Sequence, residues 1–316
     1  MKILSLIVPC YNESAAIKYL YKALCDVSIE LRNYKMEFIF VNDGSKDDTL
    51  KKIKEFAEYD DRVIYLSFSR NFGKEAAMYA GFCNAKGDYV AIMDADMQDP
   101  PSLLPNMVDI LEKEGYDSVA TRRITRKGEP IIRSLFAKIF YKIINHISDA
   151  DIVDGARDFR LMKRSMVDAI VQMSEYNRFS KGIFGWIGFR TYWMPYENVE
   201  RIAGETKWNF WKLFAYSLDG IVNFSQVPLT MVSLSGLFIT FISVIMIFFV
   251  IIRKVIYGDP VAGWASLVCI IVFLGGIQLF CLGIIGQYIS KMYLEVKNRP
   301  HYIISDTNKK DIHYVG

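Results

Sequence analysis

The sequence predicts an α/β domain built on a parallel sheet, followed by a hairpin of two membrane-crossing helices. Three observations carry this. Between residues 3 and 121, short apolar runs alternate with stretches of helical spacing, the pattern of strands joined by crossover helices. The apolar runs close on clusters of polar residues. Beyond Asp219, two long stretches, 220–252 and 260–290, contain no Asp, Glu, Lys or Arg.

Taken in order, residues 3–8 form an apolar run stopped by Pro9 and read as a buried strand. Helical spacing follows over 13–31. A second strand, 36–41, ends at Asn42-Asp43-Gly44-Ser45, and 47–59 is helical. A strand over 63–68 ends at Ser69-Arg70-Asn71, and a helix spans 73–85. The strand 89–93 ends at Asp94-Ala95-Asp96, a helix spans 103–114, and 118–121 is extended. In parallel sheets of this kind ligands bind beyond the carboxyl ends of the strands, and there the polar clusters gather.

The uncharged stretches contain apolar segments 229–252 and 264–289. Each meets the roughly 20 residues needed to cross a bilayer core of about 30 Å. The loop between them is too short to be a domain, so both outer ends lie on one side. The tail carries Lys291, Lys297, Arg299, Lys309 and Lys310, against Arg253 and Lys254 in the loop. The positive-inside bias then puts the tail and the N-terminal region in the cytoplasm. Residues 1–8 lack the pattern of a signal peptide. The expected organisation is a cytosolic domain over 1–226, a membrane hairpin over 227–290 and a cytosolic tail over 291–316. Two amphipathic helices, about 130–147 and 208–224, are expected at the membrane interface. The first has Ile131, Leu135, Phe136, Ile139, Phe140, Ile143 and Ile147 at helical spacing, which also suits a helix packed on the sheet.

Composition narrows the function. Of 316 residues, 52% are hydrophobic and 23% charged, which excludes a disordered or collagenous chain. Thirty-eight basic against 35 acidic residues leave a net charge of +3, too balanced to argue for nucleic acid as a partner. The five cysteines form no CxxC pair and read as reduced thiols. His146, His301 and His313 are isolated in the sequence, which disfavours a zinc site. Neither GxGxxG after the first strand nor GxxxxGK[ST] occurs, so phosphate must be held another way. Asp94 and Asp96, two residues apart just past a strand, offer a hard-cation site for Mg2+ or Mn2+ shared with substrate phosphates. Asp-x-Asp alone equally describes a solvated turn.

The motifs Pro9-Cys10-Tyr11-Asn12-Glu13, Val41-Asn42-Asp43-Gly44-Ser45, Arg70-Asn71-Phe72-Gly73-Lys74 and Asp94-Ala95-Asp96-Met97-Gln98-Asp99-Pro100-Pro101 occur in order. Together they resemble the nucleotide-sugar domain of family 2 glycosyltransferases, which has the GT-A (Rossmann-like) fold. Asp158-Phe159-Arg160-Leu161-Met162, Arg201-Ile202-Ala203-Gly204-Glu205-Thr206-Lys207-Trp208 and the membrane hairpin narrow the resemblance to polyprenyl-phosphate glycosyltransferases. The bacterial bactoprenol glucosyltransferases and dolichol-phosphate mannose synthases are the nearest groups. Asn42 stands where the family more often has an acidic residue, and Cys10 is unusual in its motif.

The resemblance implies transfer of a sugar from a UDP-sugar to undecaprenyl phosphate in a bacterial cytoplasmic membrane, with inversion. It favours glucose, then N-acetylglucosamine. It implies that Pro9, Tyr11, Glu13 and Asp43 hold the nucleoside, and that Asp94, Asp96 and Gln98 bind the metal and diphosphate. Arg201 and Lys207 would close over the diphosphate, and Asp158 would lie near the reacting centre as a base, or as a group that positions the acceptor or a neighbouring Arg157 or Arg160; a purely structural Asp158–Arg salt bridge fits the same residues. An anionic acceptor also needs its own basic seat, or two anions would repel. Arg122 and Arg133 are the candidates, because a guanidinium fork suits phosphate. A solvated basic loop fits the same residues. Related membrane enzymes suggest a homo-oligomer, a tetramer first. Rival classes are a processive polysaccharide synthase, whose Gln-x-x-Arg-Trp motif does not occur here, and a non-catalytic membrane partner protein.

Overall fold

The computed structural model describes residues 1–123, 153, 155–196, 222, 225–257 and 263–312. Its N-terminal part alternates strand and helix: β1 (Ile3–Cys10), α1 (Ile17–Glu30), β2 (Lys35–Asn42), α2 (Thr49–Tyr59), β3 (Val63–Phe68), α3 (Lys74–Asn84), β4 (Tyr89–Ile92), α4 (Leu104–Lys113) and β5 (Ser118–Arg123). Then come β6 (Ala156–Lys163), α5 (Arg164–Gln172), α6 (Ser180–Trp186) and β7 (Thr191–Tyr196). Two long helices, α7 (Val227–Tyr257) and α8 (Trp264–Val296), precede a last strand, β8 (Ile304–Thr307).

The strands form one eight-stranded sheet in the order β7-β5-β6-β4-β1-β2-β3-β8. The sequence predicts a parallel sheet, and the centre is parallel: β1 pairs with β2 and β4, and β2 with β3. The whole is mixed, because β6 runs antiparallel to both β4 and β5, and β8 antiparallel to β3. The central strands are apolar on both sides because both sheet faces are covered. One face packs Leu4, Leu6, Phe38 and Phe40 against α1, α2 and α4. The other packs Ile7, Ile39, Val41 and Ile92 against α3, α5 and α6. Each such fully buried side chain contributes about 1.5–3 kcal/mol. At Gly81 the approach of α3 is so close that a Cβ would stand 2.2 Å from Ile7 Cγ2.

Helix starts differ from the pattern for local reasons. The predicted 13–31 helix begins at Ile17. Glu13 N donates to Thr49 Oγ1 (2.9 Å) and Ser14 N to Asp47 Oδ2 (3.1 Å), so this segment is tied to the β2–α2 loop. The predicted 47–59 helix begins at Thr49, because Asp47 Oδ1 lies outside it and accepts from the Thr49 amide at 3.0 Å.

The helices α7 and α8, with 31 and 33 residues, extend about 46–50 Å at 1.5 Å per residue. Both are long and apolar enough to cross a membrane. Side chains such as Leu237, Phe241, Phe273 and Leu279 are 64–72% exposed, so the protein itself leaves these apolar faces uncovered. The predicted interfacial helices 130–147 and 208–224 lie outside the described residues, save Val222.

The tail, read from sequence only as a basic segment, returns to the sheet. Glu295 near the end of α8 accepts from the backbone N–H groups of Tyr176 (2.9 Å) and Asn177 (3.1 Å). Tyr302 stacks on Phe68 with ring centroids 5.1 Å apart. The β8 strand then covers β3, and Asn308 pairs with the Tyr65 amide and the Val63 carbonyl. An edge strand that would otherwise offer unpaired backbone groups is thereby capped.

Candidate active site

The carboxyl ends of β1, β2, β3 and β4 share one edge of the sheet. Because β6 is antiparallel to β4, its amino end, with Arg157 and Asp158, reaches the same edge. The two halves of the site, which are far apart in sequence, meet there.

The loops after β1 and β2 brace each other. Asn12 N donates to Ser45 Oγ (3.0 Å), and Lys46 N donates back to Asn12 Oδ1 (2.8 Å). Asn12 takes a positive φ of 53° for this turn. Pro9, Tyr11 and Glu13 are half-buried beside it. Gly44 has φ 63°, and a Cβ there would stand 2.4 Å from the Arg70 carbonyl carbon. Only glycine fits such a backbone so close to another loop. Asn42, the departure from the family pattern, is buried and structural: its amide donates to Ser67 Oγ at 2.9 Å.

Asp43, expected at the nucleoside, is 3% exposed. Its two oxygens accept from the amides of Phe72 (2.6 Å) and Gly73 (3.0 Å). Burial pushes its carboxyl up, and these two bonds oppose the shift. The visible role of Asp43 is to fix the loop that launches α3, and so to aim Lys74.

Lys74 is the hub. Its Nζ lies 2.5 Å from Asp94 Oδ1 and 2.5 Å from Asp158 Oδ2. It therefore joins the start of α3 to the ends of β4 and β6. Burial works against charge on Lys74 and Asp158, but mutual attraction prevails. Asp158 is held well below the usual carboxylate range, chiefly by Lys74 and then Lys181, and Lys74 is held well above the usual lysine range by Asp158 and Asp94.

The turn after β4 is held from beneath. Asp96 Oδ1 accepts from Gln98 N at 3.1 Å, and Met97 between them has φ 61°. Asp99 is fully buried and accepts from the Tyr196 hydroxyl and from Arg157 Nε (3.4 Å). Arg157 also donates Nη2 to Gln98 Oε1 at 3.0 Å. Burial pushes the Asp99 carboxyl up, against the pull of Arg157 and Tyr196.

Asp94, Asp96 and Gln98 stand half-buried at alternate positions of this turn. Two carboxylates are the hard oxygen donors that Mg2+ or Mn2+ takes when substrate phosphates complete its shell, so this donor set fits such an ion. Gln98 is the weakest of the three, since its amide oxygen already accepts from Arg157. Among the described residues no group of three or more His, Cys, Asp or Glu side chains gathers as a metal site. A cation here would depend on its substrate for the remaining ligands.

Of the sequence-predicted residues, the structure brings Asp94, Asp96, Gln98 and Asp158 together. Arg122 is exposed at the end of β5, in register with Ala156 of β6. Arg133, Arg201 and Lys207 lie outside the described residues. Sequence reasoning assigned no role to Lys74, Asp99 or Tyr196, and took Arg157 only as a neighbour for Asp158, whereas Arg157 bonds Asp99 and Gln98 and Asp158 pairs with Lys74. Lys74 stood within a quoted motif and could have been found there. Tyr196 carried no signal.

The family model described as Glycosyl transferase family 2 matches residues 5–171. A Bacillus subtilis (strain 168) protein named CsbB is 46% identical over 97% of this chain and 92% of its own length. The SfII prophage-derived bactoprenol glucosyl transferase of Shigella flexneri is 43% identical over 98% of this chain and 99% of its own. The bactoprenol glucosyl transferase of Shigella phage SfV is 42% identical over 98% of this chain and its own whole length.

Proposed function

Because the chain belongs to glycosyl transferase family 2, we propose that it transfers one sugar, glucose first, from a UDP-sugar to undecaprenyl phosphate. The reaction would take place at the cytoplasmic face of a bacterial membrane. The observation that carries this reading is the Asp94–Lys74–Asp158 cluster, set on a domain whose sheet is tied to two membrane-length helices. The near full-length similarity to bactoprenol glucosyl transferases supports the lipid acceptor and the choice of glucose.

The sheet supports one topology. The strand after α8 pairs with β3 of the same domain, so domain and tail share one side of any membrane the hairpin crosses. The basic residues of the tail favour the cytoplasm.

In this reading, the reaction breaks the bond from the sugar's anomeric carbon to the UDP oxygen and forms one to a phosphate oxygen of the acceptor. Charge builds on the departing diphosphate. A divalent cation at Asp94 and Asp96 would neutralise part of it. Arg201 and Lys207 would close over the same diphosphate, and Pro9, Tyr11 and Glu13 would flank the nucleoside, with Asp43 shaping the loop behind it. Arg122 and Arg133 would receive the acceptor phosphate. That phosphate is already ionised near neutral pH, so a strong base is unnecessary. Asp158, paired with Lys74, then serves to position charge rather than to take a proton. A single displacement inverts the anomeric centre, so an α-linked donor gives a β-linked product.

The test is to incubate detergent-purified protein with undecaprenyl phosphate, Mg2+ and a panel of radiolabelled UDP-sugars, with Asp96→Ala as control. Label entering the lipid from UDP-glucose, and lost in the control, is the expected result. Label in a long water-soluble polymer would point to a processive synthase. No transfer from any donor, with UDP still bound, would point to a partner protein.

A further inference from the structure

Beside Asp158, on the face of the sheet covered by α6, lies a cavity of about 240 Å³. Among the described residues it is lined by Arg157, Arg160 and Lys181 together with Phe184 and Trp193. Three basic residues line so small a space. Arg157 is already committed to Asp99 and Gln98. Arg160 differs. It is 3% exposed, its Nε has no hydrogen-bond partner among the described residues, and its guanidinium lies over the rings of Phe184 (4.3 Å) and Trp193 (5.4 Å). Burial pulls its pKa down only to about 10, so it is charged at neutral pH. A buried guanidinium with an unused donor is costly to leave unpaired, and an anion in the cavity would pair it.

The place and size restrict which anion. Residues two apart on a strand share a face and stand about 7 Å apart, so Arg160 follows Asp158 on the same side of β6. Lys181 is close enough to Asp158 to lower its pKa. Ala120 of β5 pairs with Arg160 and, across β5, with Trp193, and Arg122 lies two residues further along β5. The volume is below the roughly 300–1,000 Å³ of pockets for drug-sized ligands, too small for a nucleotide sugar but ample for one phosphate group with water.

We infer that this cavity is a seat for a phosphate monoester, in which Arg160 and Lys181 hold the acceptor's phosphate beside the Asp158–Lys74 pair while Arg122 stands at its rim. The identity of the occupant as the acceptor rests on the function proposed above. The cationic site itself does not.

Binding, rather than turnover, tests it. Full-length protein in detergent would be titrated with farnesyl phosphate, a short isoprenoid monoester, and separately with inorganic phosphate. Wild type, Arg160→Met and Lys181→Met would be compared, with UDP affinity and thermal midpoint as controls. Farnesyl phosphate binding weakened at least tenfold in both variants, with UDP affinity within twofold of wild type, is the expected result. Lys181→Met carries the test if loss of the buried Arg160 prevents folding. Unchanged farnesyl phosphate binding in Lys181→Met and in folded Arg160→Met overturns the inference. Binding of inorganic phosphate alone, dependent on Arg160 or Lys181, overturns the acceptor assignment. If sugar transfer to undecaprenyl phosphate survives at wild-type rate in both variants, the function stands and the cavity's role falls. If farnesyl phosphate binding needs both residues in a protein that transfers no sugar, the seat stands and the function falls.

Discussion

The ammonium of Lys74 lies 2.5 Å from a carboxylate oxygen of Asp158, a contact between residues 84 apart in sequence. It links the loop fixed by Asp43 to the antiparallel strand β6, and a second bond to Asp94 draws in the turn after β4.

Replacing Lys74 by Met would leave Asp94 and Asp158 facing each other without a shared cation. Like charges so placed repel. The expected result is a fall in transfer rate on the order of 100-fold, the scale of losing one charge-stabilising group. Lys74→Arg should keep part of the rate. Initial rates of label transfer, with a melting curve to verify folding, check both.

The same pair sets a pH dependence. The carboxyl of Asp158 is held below its unfolded value of about 3.9. Its contribution to stability is therefore complete above about pH 4 and is lost only as pH falls through the lower folded value. Lys74 is shifted upward, so its contribution is complete below about pH 10 and is lost as pH rises beyond. In Lys74→Met, burial acts on Asp158 with less opposition, and the acid-unfolding midpoint should move to higher pH. A circular-dichroism titration of wild type and variant between pH 2 and 7 measures it.

Tyr196→Phe removes the hydroxyl that donates to the buried Asp99. Asp99 already has one oxygen, Oδ2, without a partner among the described residues. Loss of the bond should cost about 1–3 kcal/mol, the usual penalty for stranding a buried polar group. It should also loosen the Asp94–Gln98 turn, lowering affinity for UDP with Mg2+. Chemical denaturation and UDP titration separate the two effects.

Tyr302→Ala would remove a ring that is 4% exposed and stacked on Phe68. A loss of about 3 kcal/mol is expected. Truncation after Arg299 should do more, since it uncovers β3. Aggregation during gel filtration, absent from the full chain, is the expected sign.

Much of this fold is legible in the sequence, for physical reasons. Strands β1 to β4 are apolar because both sheet faces are covered, and Asn42-Asp43 marks where β2 ends; Pro9, expected to stop the first strand, instead lies inside β1 and pairs with Val41. The long helices are legible because 220–252 and 260–290 carry no charge. By contrast, β6 reads Arg157-Asp158-Phe159-Arg160, with charges where a buried strand usually has none, because its amino end lies in the site. Its pairing with β4 is a long-range choice that local pattern does not reveal. The β8 strand, Ile304-Ser305-Asp306-Thr307, is too short and polar to announce itself. In the site, Asp94, Asp96, Gln98 and Asp158 were visible as motif residues. That Asp43 bonds backbone rather than standing open, and that Lys74 bridges two carboxylates, became visible only once the loops were in place.

The most direct test of the central claim is the structure of the product. Undecaprenyl phosphate, UDP-glucose, Mg2+ and purified protein would be incubated, and the extracted lipid examined by mass spectrometry and NMR. The account predicts undecaprenyl monophosphate carrying a single glucose in β linkage, absent when Asp96→Ala replaces wild type. A sugar linked through a diphosphate, an α linkage, or unmodified lipid with wild-type protein would contradict it.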